Sequence, residues 1–296
     1  MKTKIIMMTA LLALLATGCE NIDATRVRLF AEDMTAVNGT KVWVDPADVS
    51  NTAVWIVGEN IDINGTEKTI EMEGTDYVIT NVSTASMRYA VYPATTNANN
   101  NFVTVTDNGT SDVNIAIESL NVNFTNGGHE IIFPMAAQAA TTEDALLFSH
   151  LTAGLKINLQ AETADEDIVA VRVIVYGDGP ADAVQVNGVN YTTEWSFGQP
   201  TQLPIGETGT IEDRSVMYAS DMLFYMQTDG TDGVEVSTSN TEGVTFCVPV
   251  SIANAERISV ICYNTSYEPV CSKTHELGNV AIERNHLYPI PTIKIN

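Results

Sequence analysis

The chain has 296 residues, with 37 Asp and Glu against 14 Lys and Arg, and its formal net charge is −23 at neutral pH. This acidic excess argues against nucleic acid or an anionic lipid surface as the partner, because both bind basic faces. The length suggests two domains, or one large β domain, with ample sequence for a hydrophobic core.

The N-terminal segment 1–18 has the features of a signal peptide. Lys2 and Lys4 precede an apolar run at 5–15, which is too short for a permanent membrane-spanning helix. The sequence Ala-Thr-Gly then leads into Cys19, an arrangement that resembles the bacterial lipobox. This resemblance implies that Cys19 is acylated and becomes the mature N-terminus, tethering the protein to a membrane by its lipid.

Three cysteines follow Cys19, with no C-x-x-C spacing among them: Cys247, Cys262 and Cys271. Cys247 and Cys262 lie in strand-like runs that could be neighbours, so one cross-strand disulfide is allowed. The alternative is that these residues are buried free thiols that act as small hydrophobic side chains. The sequence leaves both interpretations open.

The mature chain is rich in short runs of β-branched and aromatic residues separated by Asn, Gly, Asp and Thr, a pattern typical of β-sandwiches. Asn-Gly and Asp-Gly pairs recur between the runs, and their tolerance of positive φ predicts hairpin turns. The sequence therefore predicts an all-β fold. The predicted strands, in chain order, are 52–58, 88–94, 102–107, 113–124, 129–137, 155–162, 168–179, 183–191, 222–227, 243–252, 257–264 and 287–295.

Segment 141–155 has a weak helical pattern. Its candidate inward-facing residues are Leu146, Leu147 and Leu151. Because Gly154 interrupts the pattern, the segment predicts at most a short helix ahead of a strand. A domain boundary is expected in the same stretch, near residue 146.

Four segments that follow the lipobox form a series. They are YAVYPA (89–94), LLFSHLTAGLKINL (146–159), IVAVRVIVYG (168–177) and IERNHLYPIPTIKI (282–295). In the last one, Arg284, Asn285 and Tyr288 form an R-N-x-x-Y pattern. In their order and spacing these segments resemble the fimbrillins of Bacteroidetes, the lipoprotein precursors of type V pilus subunits.

The resemblance implies two transthyretin-like Greek-key β-sandwich domains in tandem, here residues 19–146 and 147–296 after the signal peptide 1–18. It also implies lipid anchoring at the outer membrane through Cys19. The expected partners are other fimbrillin subunits, bound by strand exchange, and a host or bacterial surface ligand. The expected function is that of a structural or tip (adhesin) component of cell-surface fimbriae.

In that family, proteolytic removal of the first strand opens a groove, and a C-terminal strand of a neighbouring subunit fills it by β-augmentation. The first strand is expected here at 25–34, with Val27, Leu29 and Ala31 on one face. A sheet that loses a strand exposes unpaired backbone groups and an open core, so it has a strong tendency to accept a replacement.

The maturation protease of the family cuts at a basic residue near this strand, and the candidates are Arg26, Arg28 and Lys41. A cut after Lys41 releases the whole strand, whereas a cut after Arg28 leaves half of it behind. Lys41 is therefore the favoured candidate, with Arg28 as the second.

The C-terminus departs from the pattern of a pilus shaft subunit. Eight residues follow Tyr288, and they are expected to form the last strand of the second domain itself. A shaft subunit needs a further extension to donate, so this departure favours a tip-like subunit or a stand-alone surface protein. Pro289 and Pro291 lack N–H donors, which predicts an edge strand.

No residue pattern points to catalysis or metal binding. None of the 4 histidines has a carboxylate or cysteine at metal-ligand spacing, and the pair Ser149–His150 is not in a G-x-S-x-G turn. The acidic stretches 162–167 and 228–235 do not match a spaced calcium loop. The sequence thus predicts a protein that is not an enzyme and has no cofactor.

The alternative function is that of a surface lipoprotein that binds glycans for a nutrient-uptake system. Trp43, Trp55 and Trp195 are the candidate residues for stacking on sugars. The simpler interpretation of these tryptophans is that they pack in the core or against neighbouring strands.

Overall fold

The computed structural model describes residues 26–31, 35–36, 55, 57–83, 87–94, 102–109, 111–125, 128–131, 133–139, 145–177, 184–186, 188–195, 218–228 and 231–295.

Every helix or strand element within these residues is a β-strand, so the all-β prediction is confirmed. The strands are β1 Val27–Ala31, β2 Thr35–Ala36, β3 Asn60–Ile63, β4 Thr66–Thr69, β5 Glu71–Glu73, β6 Asp76–Ile79, β7 Ala90–Tyr92, β8 Phe102–Asp107, β9 Asp112–Thr125, β10 Gly128–Ile131, β11 Met135–Ala139, β12 Ala145–His150, β13 Ala153–Ala161, β14 Glu166–Gly177, β15 Val184–Val186, β16 Val189–Trp195, β17 Tyr218–Thr228, β18 Thr231–Asp232, β19 Val234–Val236, β20 Val244–Val250, β21 Asn254–Asn264, β22 Pro269–Ala281, β23 His286–Pro289 and β24 Ile293–Ile295.

The described strands form three sheets. The first has eight strands in the order β4-β3-β7-β11-β12-β1-β6-β5. The second has eleven strands, with the path β15-β16-β9-β17-β14-β21-β22, and β8, β10, β18 and β19 pair with strands on that path. The third has five strands, β2-β23-β13-β20 with β24 beside β13.

Two hydrophobic clusters account for most of the buried side chains. The main core joins the eleven-stranded and five-stranded sheets, and side chains such as Val173, Phe224 and Val260 of the larger sheet pack with Ile157 and Phe246 of the smaller one. A second cluster, the N-terminal core, lies against the eight-stranded sheet. It contains Val27, Leu29, Trp55, Ile61, Ile63, Ile70, Ile79, Val82, Met87, Ala90, Tyr92, Met135, Ala137, Leu146 and Phe148.

The segment with a weak helical pattern is extended where the structure describes it. Residues 145–150 form β12, and their burial alternates, with Leu146 and Phe148 inside and Leu147 exposed. The suggestion of a helix was wrong here, because pairing with β1 and β11 on the two edges of β12 requires the period-2 alternation of a strand.

The predicted Asn-Gly turn at 64–65 connects β3 to β4. Asn64 has a φ of 51° and Gly65 a φ of 79°, the two left-handed conformations that a type I′ hairpin turn requires. Asp62 Oδ1 accepts a hydrogen bond from the Gly65 amide at 2.7 Å, which closes the turn.

Pairing between strands links the two halves of the sequence. β9, from the N-terminal half, pairs in parallel with β16 and with β17. β12 begins at Ala145 and ends at His150, so it spans the expected boundary near residue 146. The division into domains at 19–146 and 147–296 stays a prediction.

A buried ion pair lies in the eleven-stranded sheet. Arg172 on β14 donates from Nε to Asp221 Oδ1 at 2.7 Å and from Nη2 to Oδ2 at 2.5 Å. Both residues are almost fully buried, next to an apolar cluster that includes Ile174, Leu223 and Tyr263. The two-point geometry offsets part of the cost of removing both charges from water.

Candidate functional site

The candidate site is the position that β1 occupies in the eight-stranded sheet, and we call it the β1 groove. β1 lies between β12, with which it pairs in parallel, and β6, with which it pairs in antiparallel orientation. The strand therefore has hydrogen-bonding neighbours on both edges. Removing it would leave one unpaired edge on β12 and another on β6.

The register of the groove is set by alternate residues. Leu29 lies opposite Leu146 of β12, and Val27 lies opposite Ile79 of β6. All four side chains are buried in the N-terminal core, and Leu29 is 5% exposed. Because successive side chains of a strand point to opposite faces, only every second residue of β1 contributes to this core.

Aromatic side chains line the core beneath β1. Trp55 makes edge-to-face contacts with Tyr92 and with Phe148, each with ring centroids 4.9 Å apart. Phe148 lies opposite Ala31 of β1 in the register with β12. The floor of the groove is thus an apolar surface with aromatic side chains, and β1 covers part of it.

The outward face of β1 carries a different set of residues. Phe30 is 47% exposed and lies opposite Leu147, which is 41% exposed. The Arg28 guanidinium is 5.8 Å from the centroid of the Phe30 ring. Arg26 and Glu73 form an ion pair at 2.7 Å with both side chains about half exposed, so this pair adds little stability.

The expectation for the first strand is confirmed in its described part. The predicted segment 25–34 contains β1, and Val27 and Leu29 are buried on one face with Ala31 partly buried. The flanking strands were not foreseen as partners. β6 has only four residues, Asp76–Ile79, and β12 lies in a segment whose leucine spacing also fits a helix.

Two of the three predicted site residues, Cys19 and Lys41, lie outside the described residues. Arg28 lies within β1 and has an exposed side chain. Its backbone is paired with both Ala145 and Val78. Because proteases bind their substrates as extended strands, cleavage after Arg28 would require β1 to leave at least one neighbour first. The maturation site stays a prediction.

The C-terminal residues form part of the chain's own fold, as expected from the sequence. β24 pairs in parallel with β13, and Ile293 and Ile295 are fully buried in the main core. β23 pairs with β13 on one side and with β2 on the other. The two prolines, Pro289 and Pro291, come at the end of β23 and between β23 and β24.

The R-N-x-x-Y pattern anchors this C-terminal segment. Arg284 Nη1 donates to the carbonyl of His150 at 3.0 Å, and the Asn285 amide donates to the carbonyl of Thr152 at 3.0 Å. Asn285 has a φ of 60°, a left-handed conformation that Asn tolerates better than most residues. The Tyr288 hydroxyl accepts from the Glu283 amide at 2.9 Å, which closes the turn ahead of β23. The pattern therefore serves to hold the C-terminal segment against the turn between β12 and β13.

The serine, histidine and aspartate side chains that could suggest catalysis or metal binding lie in strands of the fold and in the turns between them. Ser149 and His150 are neighbours in β12, so their side chains point to opposite faces of the sheet. His129 Nε2 accepts a hydrogen bond from the Cys247 amide at 2.9 Å. Asp165 accepts from the Thr238 amide and hydroxyl, both at 2.7 Å, and these bonds lower the pKa of its carboxyl.

Within the described residues, no group of three or more His, Cys, Asp or Glu side chains is placed to hold a metal ion. The same residues include no helix with the length and hydropathy to cross a bilayer. Trp55 is only 5% exposed and packs in the N-terminal core. Trp43 and the side chain of Trp195 lie outside what the structure describes.

No protein family profile matches the sequence, and no curated protein is significantly similar to it. Two solved structures align with most of this chain. One is a proposed cell adhesion protein from Bacteroides ovatus, 12% identical with a TM-score of 0.36, and the alignment covers 91% of this chain and 94% of that one. The other is a proposed cell adhesion protein from Bacteroides uniformis, 14% identical with a TM-score of 0.31, covering 91% of this chain and 93% of that one.

Proposed function

We propose that the protein is a non-enzymatic, fimbrillin-like surface lipoprotein, a structural or tip component of fimbriae that accepts a partner's strand in the β1 groove. The lipid on Cys19 anchors the precursor at the outer membrane. Cleavage after Lys41 then separates the anchor and the first strand from the rest of the chain. The observation that carries the proposal is the placement of β1, a five-residue strand inserted between two others over an apolar core.

Many different strand sequences could occupy the β1 groove, because few of its contacts depend on particular side chains. Two buried side chains, Val27 and Leu29, fill it from the inward face, and Ala31 adds a third, partly buried contact. A replacement strand needs apolar residues at alternate positions and backbone groups in register with β12 and β6. Main-chain hydrogen bonds then supply affinity and the alternate side chains supply specificity.

The groove also explains why an empty subunit would bind a new strand. Loss of β1 uncovers Leu146, Phe148 and Ile79 and leaves backbone groups unpaired on both sides. Exposed apolar surface and unpaired strand edges both favour association. Assembly driven in this way needs no external energy source.

The occupied position of β24 favours an accepting role. Ile293 and Ile295 are buried in the main core, so donating this strand would open the chain's own sheet. The donor strand accordingly comes from another subunit.

The test is thermal unfolding of protein cut after Lys41, with the released segment removed. Addition of a C-terminal donor peptide from a sibling fimbrillin subunit is expected to raise the Tm by mass action. A peptide at one hundred times its Kd adds about 2.7 kcal/mol to the free energy of unfolding. The matched control is the same peptide with Asp at its alternate apolar positions, which is expected to give no shift.

The chain's own segment 25–34, added as a peptide, reports whether the groove is open. If that peptide raises the Tm and no sibling peptide does, the strand-accepting function is wrong. Saturable binding of a polysaccharide by the uncut protein, with no effect of any strand peptide, would instead support the glycan-binding alternative.

A further inference from the structure

Cys262 and Cys271 lie directly opposite each other on neighbouring strands. Cys262 is on β21 and Cys271 on β22, and they are register partners in this antiparallel pair. Both side chains belong to the main core, so they point to the same face of the sheet. Directly opposed residues of an antiparallel pair bring their Cβ atoms within about 4.5–5.5 Å, at the edge of the separation that a disulfide spans.

The two thiols are close enough to interact, and a hydrogen bond between their side chains shifts the pKa of both. The Cys271 thiol in turn donates to the carbonyl oxygen of Lys294 at 3.2 Å. The described cysteines are all reduced in this structure. Cys271 thus links β22 to β24 and lies opposite Cys262 of β21.

We propose that Cys262 and Cys271 form a disulfide in the exported protein and so join β21 to β22. The N-terminal segment predicts export from the reducing cytoplasm to a compartment where disulfides persist. The register shift beside this pair, between Cys262 and Tyr263, is a β-bulge or irregularity that disrupts the ladder there. A covalent bond at this point compensates for the weakened ladder.

The surroundings of the two thiols determine which cysteine reacts first with the oxidant. The hydrogen bond with Cys262 and the positive charge of Lys273 lower the pKa of Cys271. The hydrogen bond with Cys271 and full burial raise the pKa of Cys262. Since the thiolate is the nucleophile, Cys271 attacks first.

The oxidant is a disulfide compound, either a small molecule or a thiol oxidoreductase. Cys271 breaks the disulfide of the oxidant and forms a mixed disulfide, which releases one thiol. Cys262 then attacks the Cys271 sulfur and releases the second thiol. Two electrons reduce the oxidant, and the two cysteine protons pass to the released thiols.

Cys247 provides the internal comparison. It lies on β20 in the five-stranded sheet, opposite Lys156 of β13. Burial raises the pKa of its thiol to about 12, so it stays protonated and unreactive. We expect Cys247 to remain a free thiol in the same protein.

The test is peptide mapping of the full-length protein purified from the cell surface without reductant. The protein is denatured, alkylated with iodoacetamide and digested with trypsin. Cleavage after Arg257 and Lys273 gives a peptide, 258–273, that contains Cys262 and Cys271 and no other cysteine. The expected peptide carries no alkyl group and is lighter than the dithiol by two hydrogen atoms.

The neighbouring peptide 215–257 contains Cys247 alone and is expected to carry one alkyl group. A peptide 258–273 that carries two alkyl groups, or a disulfide that includes Cys247, would overturn the proposal. Reduction of the native protein provides a second measurement. It is expected to lower the Tm by about 5 °C or more, because the bond closes a loop in the unfolded chain. The variant Cys262→Ser is expected to unfold at the same temperature with and without reductant.

Discussion

The contribution of β1 to the N-terminal core can be measured with one substitution, Leu29→Ala. Leu29 is 5% exposed and lies opposite Leu146, in contact with the apolar floor of the β1 groove. The change removes three carbon atoms, worth about 0.8 kcal/mol each in transfer free energy, and leaves a cavity beside Leu146. The expected loss is about 3 kcal/mol in the free energy of unfolding of the uncut protein.

The assay is urea unfolding of the uncut chain, with a thermal scan in parallel. A loss of about 3 kcal/mol lowers the Tm by about 6 °C or more for a protein of this size. Phe30→Ala is the matched control, because Phe30 lies on the same strand, on the outward face, and is 47% exposed. Its substitution is expected to change stability by less than about 0.5 kcal/mol.

The same variant shows whether the loss of stability arises in the β1 groove or elsewhere in the protein. Once the chain is cut after Lys41 and β1 is removed, the Leu29→Ala protein and the wild-type protein have the same sequence and the same expected Tm. If Leu29→Ala proves as mild as Phe30→Ala in the uncut chain, β1 does not seal the N-terminal core. In that case the basis for strand acceptance fails.

Three further substitutions test the account of the fold. Asp221→Ala removes the carboxylate that pairs with the buried Arg172 charge, so a loss of about 3–5 kcal/mol is expected in urea unfolding. Burial raises the pKa of the Asp62 carboxyl above its ordinary 3.8, so ionised Asp62 opposes folding as the pH rises above that value. Asp62→Asn is accordingly expected to raise the Tm at neutral pH and to leave it unchanged at about pH 3. Arg284→Ala removes the bond to the His150 carbonyl, and faster amide exchange is expected in β23 and β24.

Each of these substitutions has a control or a contradicting result. Arg26→Ala breaks an exposed ion pair and is expected to change stability by less than about 1 kcal/mol, in contrast to Asp221→Ala. An Asp62→Asn variant that gains the same stability at both pH values would show that ionisation is not the cause. Unchanged amide exchange in the Arg284→Ala variant would show that the R-N-x-x-Y pattern does not hold the C-terminal segment.

Strands with a strong apolar pattern could be predicted from the sequence. The run at 102–107 coincides with β8, and the run at 113–124 lies within β9. In these runs β-branched and aromatic residues alternate with polar ones, and this alternation is the direct signature of a half-buried strand.

Strands with exposed, polar sequences could not be predicted. β4 and β5 have mostly exposed residues, and β22 is buried mainly at Cys271 near its start. Such strands are held by backbone hydrogen bonds to their neighbours, and their sequences carry little period-2 signal. The pairing partner of a strand is likewise set by residues far away in the sequence. The position of β1 between β6 and β12 could therefore not be predicted from the sequence of β1 alone.

β12 shows why a helix was expected where the structure has a strand. Leu146, Leu147 and Leu151 fit one face of a helix by their spacing, but the burial of the strand follows Leu146, Phe148 and His150. Short apolar runs satisfy both periods, and tertiary pairing decides between them. Here β1 and β11 both pair with β12, so the strand is favoured.

Leu147 offers the most direct measurement of strand exchange. It lies opposite Phe30 in the register of β1 and β12, and at 41% exposed it tolerates a larger side chain. We would replace it with a photo-crosslinking phenylalanine analogue, irradiate cells that display the protein, and identify the crosslinked peptide by mass spectrometry. In the uncut precursor the crosslink is expected to reach β1 of the same chain. In the assembled protein the account predicts a crosslink to a strand of another subunit, and a crosslink that still reaches the chain's own β1 would contradict it.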